Sequence, residues 1–200
     1  MARFFMRLMV VLLLALLAGV GITLTISNDA LYTLHEWIDY ARFHRYDAMI
    51  EETGRKYHVD PMLIKAVVWR ESAFAEDMVG RNGERGLMQV TEGAAKDWAR
   101  SQKNETFQPN DLFDPKTNID VGTWYLKQSL DHYSAKDDPV TFALAEYNAG
   151  RQRVNRWIGE DNLGPVTADD LQKNISFPGT RSYVQSIQSR YSFYKRRARM

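Results

Sequence analysis

The sequence predicts a mostly α-helical fold with at most short strands, preceded by a hydrophobic helix at the N-terminus. Apolar residues recur at intervals of three and four through most of the chain, which is the spacing of one helix face. Aspartate-proline pairs precede three of these segments, and such a pair starts a helix well because Asp caps free N–H groups and Pro fits the first helical position. Only residues 86–90 form a short apolar run that suits a strand. We therefore expect a compact helical domain without a sheet core.

The composition excludes several classes of function. The 200 residues suffice for one domain with an appendage, and the net charge of +1 does not suit a nucleic-acid-binding protein. The absence of cysteine excludes disulfides, cysteine-ligated zinc and a thiol nucleophile. The four histidines are scattered without metal-ligand spacing. The sequence thus predicts no metal, no cofactor and no nucleic-acid partner.

Residues 1–27 form a separate segment. Arg3 and Arg7 precede an uncharged run at residues 8–26, which as a helix would extend about 28 Å, close to the hydrocarbon thickness of a bilayer. The segment is therefore either a transmembrane anchor or a cleaved signal peptide, and the lack of an Ala-x-Ala cleavage site favours the anchor. Both alternatives export the rest of the chain, because flanking arginines stay on the cytoplasmic side.

The remaining elements follow in chain order. Residues 28–44 mix aromatic and charged side chains and are interpreted as a juxtamembrane connector to a domain at residues 45–200. The predicted helices of this domain cover residues 46–57, 60–74, 91–98, 119–133, 140–148, 154–158, 168–173 and 180–195. Between them we expect a loop at residues 76–85, an irregular stretch at 99–112 and a turn at 162–165.

Glu71 occupies an unusual position in the helix predicted at residues 60–74. The apolar face of this helix runs through Leu63, Ile64, Val67 and Val68. The next position on that face is Glu71, where a leucine would be expected. Burying a carboxyl group raises its pKa, and a carboxylic acid that is still protonated near neutral pH suits a general acid. The alternative is a helix-end glutamate that pairs with Arg70 or caps a loop.

Three short motifs occur in a specific order: Glu-Ser-Ala-Phe at residues 71–74, Gly-Leu-Met-Gln at 86–89 and Ala-Glu-Tyr-Asn-Ala-Gly at 145–150. Each motif alone is a weak signal. The ordered set resembles the catalytic domain of soluble-type lytic transglycosylases, which are relatives of goose-type lysozyme. The resemblance covers about residues 46–194 and implies a lysozyme-like helical domain of the goose type.

The resemblance also implies an activity. It implies an enzyme that cleaves the β-1,4 bond from N-acetylmuramic acid to N-acetylglucosamine in the glycan strands of peptidoglycan. In this reaction the muramic acid O6 attacks its own C1 and leaves a 1,6-anhydro end, without hydrolysis. The implied location is the bacterial cell envelope. There the protein is either anchored in the inner membrane with its domain in the periplasm, or secreted after signal cleavage.

A single catalytic carboxyl group is chemically sufficient for this reaction. Most glycosidases need two carboxyl groups, but substrate-assisted enzymes use the N-acetyl oxygen of the sugar to stabilise the cation. Glu71 matches the family's catalytic position, and we expect it first to protonate the leaving oxygen and then to accept the proton of O6. Neither a water molecule nor a second carboxylate is required.

By the same resemblance, four further residues are candidates for substrate binding. We expect Ser72 to hydrogen-bond the substrate or to fix Glu71, and Gln89 to bond a sugar amide or hydroxyl. We expect Tyr147 to orient the N-acetyl group or Glu71, whereas Asn148 either caps its helix or binds sugar. The structural alternatives are a helix-surface serine, a loop-bracing glutamine and a tyrosine in the core.

The sequence departs from the family pattern at Val90-Thr91, where an apolar residue followed by Met-Pro is frequent, and at two positions nearer the C-terminus. Glu146 stands where a small or apolar residue is common, and we expect it at a solvated helix position. If it reached the cleft instead, it would be able to hold a water molecule and favour hydrolysis. Gly179 replaces a usual glutamate in the closing segment. We therefore expect Tyr183 still to dock there, with any polar contact from that glutamate lost.

Two other functions stay open from the sequence. One is a muramidase in which water attacks the sugar, helped by Glu146 or Glu84. The other is a non-catalytic peptidoglycan-binding scaffold with vestigial motifs. The intact pair of Glu71 and Ser72 argues against the scaffold, because a binding protein has no need of an acid at this position.

Overall fold

The computed structural model describes residues 2–26, 30–159 and 166–199. The chain divides into two compact units, Met1–Arg45 and Tyr46–Met200. In its described residues, the first unit consists of α1 (Ala2–Ile26), α2 (Ala30–Ile38) and α3 (Tyr40–His44). The predicted connector thus contains two helices, and Asp39 separates them because its backbone leaves the helical region.

Helix α1 lies within the segment that the sequence predicts to be a membrane anchor or a signal peptide. Among the described residues, no helix combines the length and the apolar character that a membrane crossing requires. The choice between anchor and signal peptide stays a prediction, as does the boundary at residue 27, since residues 27–29 lie outside the described chain.

The second unit is built from helices with short connections. In chain order these are α4 (Asp47–Tyr57), α5 (Pro61–Ser72), α6 (Glu92–Ser101), α7 (Pro115–His132), α8 (Pro139–Ala149), α9 (Arg151–Ile158), α10 (Ala168–Asn174) and α11 (Pro178–Arg197), with a 3₁₀ helix at Pro109–Phe113. The prediction of a mostly α-helical domain is confirmed. The turn predicted at residues 162–165 lies outside the described residues.

The three aspartate-proline pairs start helices as predicted. Asp60, at the start of α5, accepts a hydrogen bond of 2.9 Å from the backbone N–H two residues later. Asp114 accepts one of 2.8 Å at the start of α7, and Asp138 accepts one of 3.1 Å at the start of α8. Each bond satisfies a donor that the first turn of a helix leaves free.

Helix α8 lies at the centre of the second unit. It packs against α7 and α11, and α11 also packs along α5, the helix that carries Glu71. Helix α4 contacts both α5 and α7. The largest fully buried side chains include Ile64, Leu87, Met88, Leu112, Ile119, Leu126, Phe142, Leu144 and Ile187. This core brings the ends of α5, α8 and α11 together, although long stretches of chain separate them.

The loop at residues 76–90, all of which is described, makes isolated pairings and no strand. Arg85 pairs with Val79 and with Val90 in single antiparallel bridges. The short strands considered near residues 86–90 therefore do not form. Gly86 has a φ of 72°, and a Cβ at this position would clash with the side-chain amide of Asn118 on α7. The chain turns here instead of extending.

Candidate active site

Glu71 lies in the last turn of α5, where the chain changes direction abruptly. Ala73 ends the helix with a φ of 48° and Phe74 follows with a φ of 65°, both in the left-handed region that side-chain-bearing residues rarely adopt. Such backbone conformations cost free energy and cluster at functional sites. Phe74 is buried, so its packing holds the turn in place. Glu71 is thereby presented from the end of a rigid, buried helix.

Protein atoms closely surround the carboxyl group of Glu71, although the residue keeps some exposed surface. Burial raises the pKa of Glu71 from an ordinary value of 4.5 to about 7. A hydrogen bond from Tyr183 and the charge of Arg70 lower this pKa, whereas the charge of Glu84 raises it. Glu71 therefore populates both protonation states near neutral pH, as a group that first donates and then accepts a proton requires.

Tyr183 contacts Glu71 directly, and the sequence did not assign it to the site. Its hydroxyl group donates a hydrogen bond of 2.6 Å to Oε1 of Glu71. Tyr183 is buried on α11, and the guanidinium carbon of Arg70 lies 5.8 Å from its ring centroid. The docking of Tyr183, expected from the resemblance of the closing segment to the family pattern, is found. Nothing in that pattern named Glu71 as its partner.

Tyr147 approaches the same carboxyl group from α8. It is half-buried, and its hydroxyl donates a hydrogen bond of 2.9 Å to the carbonyl oxygen of Met88. Burial and the nearby Glu71 carboxyl raise the pKa of Tyr147 well above its usual value, so the phenol stays neutral. Because its one proton is used on Met88, the Tyr147 oxygen is left as a hydrogen-bond acceptor.

Ser72 is buried next to Glu71, and its hydroxyl is used inside the protein. The hydroxyl donates a hydrogen bond of 2.8 Å to the carbonyl oxygen of Leu87, and the Val68 carbonyl oxygen lies 3.3 Å away. This bond joins the end of α5 to the Gly-Leu-Met-Gln motif. This geometry suits the expected role of Ser72 in fixing Glu71 relative to the loop, and the expected substrate contact stays a prediction.

Gln89 braces the loop that carries it and has a φ of 46°. Its side-chain nitrogen donates hydrogen bonds to the carbonyl oxygens of Met78 (3.1 Å) and Gly86 (2.9 Å). Both amide protons are thereby used, so of the side-chain amide only the oxygen is left to bond a ligand. Gln89 can accept a hydrogen bond from a sugar N–H or hydroxyl group, but it has no donor to offer.

Asn118 of α7 holds the Gly-Leu-Met-Gln motif from within the core. Its side-chain oxygen accepts a hydrogen bond of 2.8 Å from the Met88 N–H. Its side-chain nitrogen donates to the carbonyl oxygens of Arg85 (2.8 Å) and Leu112 (2.7 Å). The amide is fully buried, so these three bonds fix the backbone on which Gln89 and the Tyr147 contact depend.

Asn148 is exposed at the end of α8, where its side-chain oxygen accepts a hydrogen bond of 2.7 Å from the Thr180 hydroxyl. The bond ties α8 to the start of α11. The Asn148 side-chain nitrogen remains available to a ligand. The structure thus brings the ends of α5, α8 and α11 and the loop at residues 76–90 together around Glu71.

A comparison with protein families agrees with this arrangement. A model described as the transglycosylase SLT domain matches residues 48–165, more than half of the chain. The chain belongs to the transglycosylase SLT domain family. Its lysozyme-like helical fold, expected from the resemblance, is confirmed.

Solved structures of lytic transglycosylases are similar to this SLT domain. Slt from Pseudomonas aeruginosa, solved as an inactive glutamate-to-glutamine mutant, is 29% identical with a TM-score of 0.68, covering 76% of this chain and 24% of that one. Slt70 from Escherichia coli is 27% identical with a TM-score of 0.69 and the same coverage of 76% and 24%. A complex of the 70-kDa soluble lytic transglycosylase with bulgecin A is 27% identical with a TM-score of 0.70, covering 78% and 25%. The chain therefore spans about a quarter of the length of these proteins.

Glu146 of the SLT domain does not lie at the solvated position expected for it. It is 2% exposed and is bonded by Ser129 (2.9 Å), by Tyr133 (2.9 Å) and twice by Arg151 (3.0 and 2.9 Å). Burial alone would raise its pKa, but these hydrogen bonds, with that of Arg151 the largest, hold the pKa below the usual value. The expectation was wrong because Arg151, just beyond Gly150, folds back onto Glu146.

Glu84 lies on the loop of the SLT domain near Glu71. The Asn82 backbone N–H and side-chain nitrogen bond its carboxylate at 2.9 and 2.8 Å, and these bonds hold the pKa of Glu84 below its usual value. A Cβ on Gly80 would clash with side-chain oxygens of both Glu84 and Gln89, which places these two acceptors close together. Glu84 is therefore an ionised carboxylate whose charge reaches Glu71.

Proposed function

We propose that this protein is a peptidoglycan lytic transglycosylase. It cleaves the β-1,4 bond between N-acetylmuramic acid and N-acetylglucosamine and leaves a 1,6-anhydromuramic end. The observation that carries the proposal is the Glu71 carboxyl group, with a pKa of about 7 inside an SLT domain. The similar proteins are named lytic transglycosylases, and one of them is described as inactive after a single glutamate-to-glutamine change.

In the first step, protonated Glu71 donates its proton to the glycosidic oxygen, which leaves on N-acetylglucosamine. The N-acetyl oxygen of muramic acid stabilises the positive charge that develops at C1. Tyr183 holds the carboxyl group over 2.6 Å, and its hydrogen bond strengthens as Glu71 becomes negative. Burial raises the pKa of Glu71 to about 7, so a substantial fraction of the free protein carries this proton at neutral pH.

In the second step, the ionised Glu71 accepts the proton of the muramic acid O6 while that oxygen bonds to C1. The enzyme returns to its starting protonation state, and no water is consumed. A pKa near 7 suits both steps, because general acid–base catalysis is most effective when the pKa lies close to the working pH.

The remaining candidates orient the sugars. The oxygens of Tyr147 and Gln89 accept hydrogen bonds from substrate N–H or hydroxyl groups, because their protons are used on backbone carbonyls. Asn148 offers its side-chain nitrogen as a donor. Ser72 acts indirectly, since its hydroxyl holds α5 against the loop.

The proposed place of action is the outer side of the bacterial inner membrane, where peptidoglycan lies. The arginines at the extreme N-terminus and the uncharged run after them support export of the domain. Whether the first segment is kept or cleaved does not alter the chemistry at Glu71.

Mass analysis of peptidoglycan digested by the full-length protein tests the proposal. We expect products with anhydro ends, which are lighter than reducing ends by the mass of one water. Reducing ends would instead favour a muramidase in which water attacks. Glu84 is the carboxylate that supports this second candidate, because Glu146 is buried and fully bonded. Binding to peptidoglycan without any cleavage would point to the scaffold.

A further inference from the structure

Phe177 is an aromatic side chain that the proposed mechanism does not use. It is 47% exposed, and among the described residues of Tyr46–Met200 it is the only exposed phenylalanine, tyrosine or tryptophan. Large aromatic rings are usually kept from water, so a single exposed ring is informative. Its place in the chain, directly before α11, puts it near the helix end that bonds Asn148.

The ring of Phe177 is held in a fixed orientation. Trp157 packs edge-on against it, with ring centroids 5.7 Å apart and an interplanar angle of 81°. The guanidinium carbon of Arg153 lies 5.4 Å from the Phe177 ring centroid. Arg153 also donates a hydrogen bond of 2.9 Å to the carbonyl oxygen of Ala149 at the end of α8. The ring and the guanidinium group therefore form one preorganised surface.

Arg153 keeps most of its hydrogen-bonding capacity. A guanidinium group has five N–H donors, and the Ala149 carbonyl uses one of them. The side chain is exposed, and the hydrogen bond that it makes among the described residues goes to a backbone carbonyl and not to a carboxylate. An arginine with free donors in a fixed fork is well suited to a carboxylate.

This surface continues the row of residues that leads to Glu71. Thr180 and Tyr183 are three residues apart on α11, and Phe177 is the residue directly before this helix, three positions ahead of Thr180. Thr180 bonds Asn148, and Tyr183 bonds Glu71. With a rise of about 1.5 Å per residue, Phe177 lies roughly 9 Å from Tyr183 along the helix axis. A polymer that is bound at Glu71 reaches this far.

The backbone beside Phe177 leaves room for a ligand. A Cβ on Gly179 would meet no atom within 4 Å, and the same holds for Gly150 at the junction of α8 and α9. Gly150 lies between Asn148 and Arg153, and Gly179 follows Phe177 in the first turn of α11. Among the described residues, no atom thus crowds the backbone at these two glycines.

We propose that Phe177 and Arg153 form a binding subsite for a peptidoglycan repeat next to the cleaved bond. The Phe177 ring packs against the C–H face of a sugar ring, and Arg153 binds a carboxylate of the peptide attached to the strand. This inference rests on the proposed function, because it takes peptidoglycan as the ligand. The subsite thereby distinguishes glycan strands that carry peptides from strands that do not, whereas Glu71 acts on the sugars alone.

Steady-state kinetics with two substrates test the subsite. The full-length protein acts on glycan strands that carry their peptides and on strands from which an amidase has removed them. We expect Phe177→Leu to raise KM roughly fivefold on both substrates, and Arg153→Gln to raise it roughly fivefold on the peptide-bearing strands alone. The kcat of both variants is expected to change less than twofold, because neither residue touches the reacting atoms.

Matched variants separate binding from folding. Phe177→Tyr keeps the flat ring and is expected to retain the KM of the wild type. Phe107→Leu alters a second edge-to-face pair, with Trp98 at 5.8 Å and 73°, which lies on another part of the surface. Arg156→Gln removes an exposed arginine one turn further along α9. The KM is expected to stay unchanged in both controls.

Binding of the Glu71→Gln protein to insoluble peptidoglycan measures the subsite without catalysis. We expect Phe177→Leu in this background to weaken binding by the same factor as it raises KM. An unchanged KM and unchanged binding for both Phe177→Leu and Arg153→Gln would overturn the subsite, as would equal effects of Arg153→Gln on both substrates. Failure of the wild type to form anhydro ends would instead overturn the proposed function, and the binding comparison would still decide the subsite.

Discussion

Glu71 and Glu146 are two glutamates of one domain that are both surrounded by protein atoms, but their pKa values are shifted in opposite directions. Burial raises the pKa of Glu71 to about 7, and its one hydrogen-bond donor from a side chain is the neutral Tyr183. Burial acts on Glu146 too, but Arg151, Ser129 and Tyr133 bond its two oxygens and hold its pKa below the usual value.

The difference shows that burial alone does not make an acid catalyst. A buried carboxyl keeps its proton only when the protein offers too few donors and no close cation to replace the water that it has lost. Arg70 lowers the pKa of Glu71, but its guanidinium lies against the Tyr183 ring and makes no ion pair with Glu71. At Glu146 the arginine makes two direct bonds. One glutamate is therefore suited to proton transfer, and the other to holding α8 and α9 together.

Replacing Glu71 with Gln tests whether this glutamate is the catalytic acid, and it is the change with the largest expected effect. The side chain keeps its size but has no proton to donate, so we expect kcat to fall by roughly 10³-fold or more. The measurement is the rate of release of soluble sugar products from peptidoglycan. Glu92→Gln, at an exposed site on α6, is the control and is expected to leave the rate unchanged. Wild-type activity in Glu71→Gln would contradict the assignment.

Replacing Arg151 with Ala tests the structural side of the comparison. Glu146 would then be buried without its cation, and the free energy of unfolding is expected to drop by about 3 kcal/mol, a value reduced because Arg151 is partly exposed. Chemical denaturation at pH 7 measures it. Arg156→Ala on the same helix is expected to change stability by less than about 0.5 kcal/mol. Equal stability of the two variants would show that the ion pair does not hold the junction.

The pH dependence of the free energy of unfolding tests the raised pKa of Glu71. Its pKa in the folded state is raised, so the folded protein binds the proton more tightly than the unfolded chain, and stability is lost as the pH rises from about 4.5 to about 7. Above pH 7 the wild type should be about 3 kcal/mol less stable than Glu71→Gln, a difference that disappears below pH 4.5. Thermal or urea unfolding at pH 4.5 and pH 8 measures it. A difference that is the same at both pH values would rule out the raised pKa.

Replacing Tyr183 with Phe is expected to have the smallest effect of the four. The lost hydrogen bond lowers the pKa of Glu71 in the wild type, so its removal raises that pKa further. The limb of the kcat profile on which activity falls with rising pH should therefore move to higher pH. Tyr191 also lies on α11, and its hydroxyl donates a hydrogen bond to Asp60. Tyr191→Phe removes this bond as the matched control and should not move the limb. A shift to lower pH in Tyr183→Phe would contradict the environment described for Glu71.

Local patterns predicted the helices well because their causes are local. The caps at Asp60, Asp114 and Asp138 depend on residues two or three positions away, and the apolar face of α5 repeats every turn. The same periodicity located Glu71. It failed for Glu146 because the deciding residue, Arg151, lies beyond a glycine that redirects the chain.

Such local patterns could not predict the hydrogen-bond partners of the site residues. Ser72 was expected to bond the substrate or to fix Glu71, and Gln89 to bond a sugar, but no pattern predicted that their donors bond backbone carbonyls of the loop. Which groups a hydroxyl or an amide finds depends on how the loop folds over α5. That path is set by Gly86 and by the buried amide of Asn118, which approaches from a distant helix.

The sequence by itself determined the helices, the position of Glu71 on an apolar face, and the ordered motifs that relate the chain to its family. These features arise from interactions within one or two turns or from short strings of residues. Only the tertiary structure decided the proton affinity of Glu71, since Tyr183 reaches it across 112 residues of chain and packing of α11 on α5 removes the water around it. Burial and hydrogen bonding in the core depend on contacts between helices, and no local pattern contains them.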